Sequence, residues 1–249
     1  EALRPNLVAL AYRMLGDVGR SEDVAQETWL RWHLRELEIV DSPRAFLVTI
    51  VTRLCLNELA SARARLEESR GDRLPEPVDL DRGGMAHLEE LEQVSMAFLV
   101  MLQRLTPAER AVLLLHDVFD FGHDEIAGLV GRNSAACRKL LERARESVAS
   151  GRRMITAPRE EHQRLLDAFV SAASAGDVTA LVALLAEDAV VITDGGTSGR
   201  ERGALRNLKQ PLEGAARIAT FIVAASRNSG LKPERRELNG QPAIAFFND

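Results

Sequence analysis

The stretch Thr106-Pro-Ala-Glu-Arg-Ala-Val-Leu-Leu-Leu-His116 opens the part of the chain that decides its fold. Thr106 can cap a helix, Pro107 suits the first helical position, and Glu109 stands where a capping box needs its acid. The apolar residues 111–115 supply a packing surface, and Phe-Asp-Phe-Gly at 119–122 interrupts the pattern. The stretch is therefore predicted to be a helix that begins at Pro107 and ends at this interruption.

Two more helices are predicted before Ser150. The first spans about Asp124 to Val130, and the second follows the turn 131–133, with Asn133 or Ser134 as its cap. Apolar residues recur along the second helix at helical spacing, with small and basic residues on the other side. A short helix, a glycine turn and such a helix form the pattern that enters the major groove of DNA. A solvated basic face on an ordinary helical bundle is the alternative interpretation.

Charge is unevenly distributed along the chain, whose net charge is −5. Residues 132–153 hold seven basic side chains against two acidic ones, while residues 71–91 hold six acidic against two basic. The basic stretch marks where an acidic partner can bind. Because phosphate neutralisation supplies most non-specific DNA affinity, so small a patch predicts weak binding to DNA alone. A larger partner is therefore expected to carry the protein to DNA.

Composition narrows the class of protein. The chain has 249 residues, 46% of them hydrophobic, which is enough for two or three domains with real cores. No stretch has the length of a membrane span, and no secretory signal is apparent, so a cytoplasmic protein is expected. Cys55 and Cys137 are expected to be core residues, and the five histidines lack ligand spacing. No metal or cofactor is predicted.

Residues 1–70 are predicted to be helical almost throughout. The first helix spans Pro5 to Leu15, and Ser21 is the predicted cap of the second. The segment 34–42 is rich in charge and is predicted to be a loop. Pro43 then opens a long helix to about Arg65.

Residues 1–66 resemble domain 2 of bacterial extracytoplasmic-function sigma factors, and residues 92–150 resemble their domain 4. Several matched blocks in the family's order are more specific than any single helix-turn-helix. The blocks are Ala11-Tyr-Arg-Met-Leu-Gly16, Glu22-Asp-Val-Ala-Gln-Glu27, Ser42-Pro-Arg-Ala-Phe-Leu47, Arg53-Leu-Cys-Leu-Asn57, Leu105-Thr-Pro-Ala-Glu-Arg-Ala111, Asp124-Glu-Ile-Ala127 and Cys137-Arg-Lys-Leu140.

The resemblance implies that core RNA polymerase and promoter DNA are the partners. The second helix of residues 1–66 would dock on the β′ clamp helices of polymerase. The β flap is the other part of polymerase that the protein is expected to contact. The residues that would bind the clamp are Asp23, Val24, Gln26 and Glu27. Helix capping is the alternative role for the acids of this helix. The free protein is expected to be a monomer.

The resemblance also assigns the two promoter elements. The loop 34–42 and the following helix match the part that opens and reads the −10 element, with Arg44, Arg53 and Asn57 as candidate contacts. A plain surface arginine is the alternative for Arg53. Candidates for the −35 element lie on the last helix of the helix-turn-helix and on the turn before it. They are Arg132, Ser134, Ala135, Arg138, Lys139 and Arg143. Arg132 and Arg143 would bind phosphates, and the other four would lie in the major groove.

The linker 67–91 is polar and is predicted to be extended and mobile. A subgroup of the family with an extra C-terminal domain has a Leu-Pro-Glu-Pro motif in this region. The chain keeps that motif at 74–77 but lacks the aromatic residues that precede it in the subgroup.

Beyond Pro158 two helices, a strand, a third helix at 212–225 and a hairpin at Asn239-Gly240 are predicted. This order resembles a SnoaL-like α+β cone over about residues 159–249, and the chain is expected to stop before that domain is complete. In the subgroup this domain regulates the sigma region in cis through a motif matched here by Asp194, Gly195 and Gly196. Asp194 could instead be a turn residue or a general base, but no convergent acid, base and donor predicts catalysis.

The predicted fold is mainly α, with two all-helical sigma domains, the second a helix-turn-helix, followed by an α+β SnoaL-like cone domain. The predicted function is that of a promoter-specificity subunit of RNA polymerase, not an enzyme. Two alternatives stay open at this point. One is a ligand-responsive, one-component helix-turn-helix regulator, and the other is a cone-fold enzyme with a DNA-binding appendage.

Overall fold

The structure is a computed structural model of the 249-residue chain. It describes residues 2–34, 40, 42–66, 74–79, 94–150, 158–194, 201–202, 205–206, 208, 210–228 and 232–247. The chain divides into two compact units. Unit 1 contains residues 1–71 and 75–154, and unit 2 contains residues 72–74 and 155–249.

Seven helices make up most of the described part of unit 1. Its helices are α1 (Arg4–Leu15), α2 (Val18–His33), α3 (Pro43–Leu66), α4 (Met96–Gln103), α5 (Pro107–Asp117), α6 (His123–Val130) and α7 (Ser134–Ser150). None of the described helices is both long and apolar enough to cross a membrane.

The start of α2 differs from the sequence prediction. Gly16 ends α1 with a φ of 71°, a left-handed conformation that glycine adopts without a steric penalty. Asp17, not Ser21, is the N-cap of α2, and its carboxylate accepts a hydrogen bond from the Arg20 amide at 2.8 Å. The helix therefore begins four residues earlier than expected. Ser21 is buried within it and donates its hydroxyl proton to the Asp17 carbonyl oxygen.

The larger of two hydrophobic clusters in the described part of unit 1 includes residues from all seven of its helices. A single buried cluster joins α1–α3 to α4–α7, and it includes Leu10, Leu47, Leu102, Leu114 and Leu141. The helices that resemble two separate sigma domains are therefore packed together here. Burial of this much apolar surface is the main force that holds them in one unit.

A buried arginine crosses this shared core. Arg110 on α5 is 5% exposed, and its guanidinium donates to the main-chain oxygens of Met14 and Leu102. Met14 lies at the end of α1, so one side chain satisfies carbonyls from both halves of unit 1. Burial lowers the pKa of Arg110 to about 10, and it still carries a positive charge at neutral pH. A buried cation is tolerated because carbonyl oxygens replace its water shell.

Unit 2 combines helices with short antiparallel strand pairs. Its elements are α8 (Arg159–Ala175), α9 (Val178–Leu184), β1 (Val190–Val191), β2 (Glu201–Arg202), β3 (Leu205–Arg206), β4 (Leu212–Glu213), α10 (Ala215–Asn228), β5 (Lys232–Leu238) and β6 (Gln241–Phe247). β1 pairs with β4, β2 with β3, and β5 with β6. A small core of α8, α9 and α10 residues includes Leu181, Ala219 and Val223.

Most elements of unit 2 were predictable, with two corrections. The β5–β6 turn lies at Asn239-Gly240, where both residues have positive φ, as a two-residue hairpin of this composition requires. Residues 212–213 form β4 instead of the first turn of a helix, because they pair with β1 in the register Val191 to Leu212. The short strands β2 and β3 were not expected, since two-residue strands carry no readable periodicity.

Candidate nucleic-acid interface

Local capping sets the geometry of the helix-turn-helix. At the start of α5 the Glu109 amide donates to Thr106 Oγ1 at 3.3 Å, and Glu109 Oε2 accepts from the Thr106 amide at 3.1 Å. Gly131 ends α6 with a φ of 65°. Asn133 caps α7, because its Oδ1 accepts from the Ala136 amide at 2.8 Å. The capping box and the turn therefore have the chemistry that the sequence predicts.

The outer face of α7 presents the candidate DNA-binding residues. Cys137 and Leu140 face the core, while Arg138 and Lys139 between them are exposed. Arg132 and Ala135 are exposed as well. A helix with small and cationic residues on its open side can enter a major groove and reach phosphates or base edges.

Two of the six −35 candidates have partners within the protein. Ser134 donates its hydroxyl proton to the Asp124 carboxylate on α6. Arg143 lies 3.2 Å from a Glu109 carboxylate oxygen, although its side chain stays 64% exposed. Ser134 therefore links α7 to α6, and Arg143 links α7 to α5.

A further arginine on α7 has a structural partner that the sequence did not reveal. Arg145 donates from Nη2 and Nε to the two carboxylate oxygens of Asp117 on α5, at 2.5 and 3.1 Å. Burial acts to raise the pKa of Asp117, but hydrogen bonds from Arg145 and His116 outweigh it and hold that pKa below its ordinary value. This ion pair links α7 to α5.

The −10 candidates lie on α3, and two of them contact the helix-turn-helix. Arg44 Nη2 donates to the Phe119 carbonyl oxygen at 3.0 Å, and its guanidinium lies 5.9 Å from the centre of the Phe121 ring. Arg53 Nη2 donates to the Gly128 carbonyl oxygen at 3.3 Å. Asn57 is exposed on the same helix. In this conformation two of the candidate DNA-binding side chains therefore donate hydrogen bonds to the protein's own backbone.

The polymerase candidates lie on α2, with one correction. Asp23 and Gln26 are exposed, and Glu27 pairs with Arg31 at 2.7 Å while keeping 44% of its side chain exposed. The sequence predicts a polymerase contact for Val24, but the structure buries it to 6% exposure in the shared core. In this structure Val24 therefore packs α2 on the core and does not belong to its exposed face.

Two leucines extend the exposed face of α2. Leu30 is 52% exposed and Leu34 is 81% exposed, and they follow Gln26 at four-residue spacing. Side chains four residues apart lie on the same side of a helix. Their spacing was readable from the sequence, but their exposure was not, because leucines at this spacing are equally typical of a buried stripe.

Residues 75–78 of the predicted linker are held on the α1–α2 turn. The Glu76 amide donates to the Gly16 carbonyl oxygen at 2.7 Å, and Tyr12 Oη donates to the Glu76 carbonyl oxygen at 2.5 Å. Val78 is buried at 3% exposure beside Tyr12. These contacts anchor residues 75–78 to unit 1.

In unit 2 the candidate regulatory residue Asp194 binds the start of the Leu-Pro-Glu-Pro motif. Its Oδ2 accepts a hydrogen bond from the Leu74 amide at 2.7 Å. Leu74 belongs to unit 2, although the next residue belongs to unit 1. Gly195 and Gly196 lie outside the described residues.

Comparisons with known proteins agree with this arrangement of helices. Residues 1–65 match the family Sigma-70 region 2, and residues 95–148 match the family Sigma-70, region 4. The chain is 37% identical over 234 residues to the ECF RNA polymerase sigma factor SigJ of Mycobacterium tuberculosis, covering 92% of this chain and 73% of that protein. It is 32% identical to SigI, described as a probable ECF RNA polymerase sigma factor of the same organism, over 99% of this chain and 82% of SigI.

A solved structure gives the same result for the fold. The crystal structure of M. tuberculosis SigJ superposes with a TM-score of 0.76 at 32% identity, covering 98% of this chain and 81% of the other. Both sigma regions are matched in order, and relatives with this identity cover most of the chain. The chain therefore belongs to the extracytoplasmic-function (ECF) RNA polymerase sigma factors.

Proposed function

We propose that this sigma factor reads its promoter with two separated parts of unit 1 and that unit 2 controls it in cis. As a sigma factor it works with core RNA polymerase and promoter DNA. In the proposal, residues 1–66 act as domain 2 and residues 92–150 as domain 4, joined by the linker 67–91. Residues 159–249 act as a SnoaL-like regulatory domain.

Domain 2 would dock on the β′ clamp helices through the exposed face of α2. That face combines Asp23, Gln26 and Glu27 with the apolar side chains of Leu30 and Leu34. An interface of this kind gains affinity from apolar burial and specificity from the surrounding polar groups. Domain 4 would meet the β flap. The free chain is proposed to be a monomer.

Promoter contacts would come from α3 and α7. Arg44, Arg53 and Asn57 on α3 would hold the opened −10 strand by its backbone and bases. On α7, Arg138 and Lys139 would lie in the −35 major groove, where each well-placed contact contributes about 1–3 kcal/mol of discrimination. Arg132 on the turn before α7 would bind a phosphate.

The observation that carries the proposal is the bonding of Arg44 and Arg53 to carbonyls of the helix-turn-helix. Elements centred about 25 base pairs apart on B-DNA lie roughly 85 Å from each other. A compact unit of about 150 residues has a radius of gyration near 15 Å and a diameter of about 40 Å. Therefore α3 and α7 must separate before they can occupy both elements, and this closed form represents the inactive state.

Control by unit 2 would act through the Leu-Pro-Glu-Pro motif. Asp194 holds the amide of Leu74. The next residues, Pro75 and Glu76, lie on the α1–α2 turn of unit 1. A change in unit 2 that released Leu74 would thus loosen a covalently adjacent segment of domain 2.

The experiment that tests the proposal is run-off transcription with purified core polymerase. The intact chain is compared with a chain that lacks residues 159–249 and with the Asp194→Ala variant. Transcription should require core polymerase and should change in the same direction in both altered chains. Tight promoter binding by the chain without core would contradict the sigma role, and equal activity of all three chains would contradict control by unit 2.

A further inference from the structure

We propose that Glu76 is a positioning residue for the polymerase interface, acting through α2 without touching polymerase. The inference rests on the proposed function, because it takes the exposed face of α2 as the docking surface. It concerns a linker residue to which the sequence assigned no role.

The side chain of Glu76 supplies part of the N-terminal cap of α2. Asp17 satisfies two amides of the first turn, since its carboxylate accepts from Arg20 and its carbonyl oxygen from Ser21. The Val18 amide, the first of the helix, donates instead to Glu76 Oε2 at 3.0 Å. A carboxylate here satisfies an amide without an intrahelical partner and faces the positive end of the helix dipole.

The backbone of Glu76 fixes where that carboxylate stands. Its amide donates to Gly16 and its carbonyl oxygen accepts from Tyr12, so residue 76 is bonded on both sides of its Cα atom. Tyr12 is fully buried. The capping side chain is therefore attached to a backbone segment that is anchored on both sides.

Pro75 and Val78, the neighbours of Glu76 in the segment, also pack against unit 1. A Cβ atom added at Gly16 would lie 3.4 Å from Pro75, so the segment approaches the α1–α2 turn closely. Val78 is buried in a cluster with Ala25, which lies on the inner face of α2. Residues 75–78 thus contact the first turn of α2 through Glu76 and share a buried cluster with its inner face, while Asp23 and Gln26 are exposed. Removing these contacts should let the first turns of α2 fray and shift the docking face.

The test compares Glu76→Ala and Glu76→Gln with wild type in the full chain. Asp177→Ala is the matched control, because Asp177 caps α9 in unit 2 through the Ala180 amide at 2.9 Å. Affinity for core polymerase is measured by titration, and hydrogen exchange of residues 18–24 reports on the cap. Loss of a cap predicts core affinity about threefold to thirtyfold weaker in Glu76→Ala, with faster exchange in α2. Glu76→Gln retains an acceptor oxygen and should recover most of the affinity, and Asp177→Ala should bind core like wild type.

A role in general stability would lower the melting temperature without changing the affinity of the folded chain. In the positioning role, the effect of Glu76→Ala should shrink when Gln26→Ala is already present, because both changes act on one surface. Core affinity of Glu76→Ala equal to wild type would overturn the inference, whatever the exchange rates. A wild-type chain that fails to bind core would overturn the proposed function and this inference with it.

Discussion

The guanidinium of Arg44 on α3 donates a hydrogen bond to the main-chain oxygen of Phe119, in the loop that precedes α6. The first residue is a candidate contact for the −10 element, and the second lies within the helix-turn-helix. In the observed structure the Arg44 guanidinium is therefore bonded to the protein's own backbone. If Arg44 contacts the −10 element as proposed, binding of the promoter has to break this contact inside the protein.

Replacing Arg44 by alanine should affect transcription far more than folding. Arg44 is largely exposed, so the loss of its contacts should cost roughly 1 kcal/mol or less in the free energy of unfolding. Transcription from the cognate promoter should fall by about tenfold or more if the cation holds the opened strand. Chemical denaturation and run-off transcription measure the two effects. Wild-type transcription by a folded Arg44→Ala chain would remove Arg44 from the −10 contacts.

Arg138 on α7 should contribute to recognition of the −35 element. Arg138→Ala should cost roughly 1–3 kcal/mol in promoter binding by the holoenzyme, with an effect that depends on the −35 sequence. Glu146→Ala is a control on the exposed part of the same helix and should leave the −35 preference unchanged. The readout is transcription from a series of promoters with single −35 substitutions. An identical pattern for Arg138→Ala and wild type would exclude direct reading by this residue.

Gln26 and Val24 should differ in the kind of defect they cause, because one is exposed and the other is buried on α2. Gln26→Ala should weaken core binding with little change in unfolding. Val24→Ala removes two buried methyl groups and should lower the free energy of unfolding by about 1–3 kcal/mol. Titration with core polymerase and urea denaturation separate the two. The assignment of α2 fails if Gln26→Ala and Leu34→Ala both bind core as tightly as wild type.

The ion pair of Asp117 with Arg145 gives a dependence on pH that can be checked. Because the pKa of Asp117 is lowered in the folded state, its contribution to stability is complete above the unfolded pKa near 3.8. That contribution is lost as the pH falls through the lower, folded value. Since the Arg145 side chain is 54% exposed, the pair should be worth about 0.5–1 kcal/mol at neutral pH.

Arg145→Gln should therefore lower the free energy of unfolding at pH 7. The fall in its stability at acid pH should then resemble that of Asp117→Asn. Urea midpoints measured from pH 2 to pH 7 give the comparison. Unchanged acid limbs in both variants would show that the pair contributes nothing to the stability of α7.

The sequence was informative where structure depends on near neighbours. The capping box at Thr106 and Glu109, the turn at Gly131 and the Asn239-Gly240 hairpin all depend on residues within a few positions of each other. The direction of side chains on α2 was harder, since the matched block includes Val24 beside exposed residues and the block alone does not say which way each one points.

Long-range packing was outside what such patterns can show. The apolar stripes of α3 and α5 are equally compatible with two separate domains and with the single core that joins them. Arg110 gives no sign in the sequence that its partners include Met14. Glu76 likewise looks like one acid of a polar linker, and only the folded chain places its carboxylate at the start of α2. Each of these contacts depends on segments brought together by tertiary structure.

The most direct test of the account is the distance between α3 and α7 in free and promoter-bound protein. Fluorophores at Ala60→Cys and Ala149→Cys, both exposed positions, report it by single-molecule energy transfer. The account predicts a separation within the roughly 40 Å of a compact unit in the free chain, and one approaching about 85 Å in the complex with polymerase and promoter. An unchanged short distance in a transcriptionally active complex would contradict it.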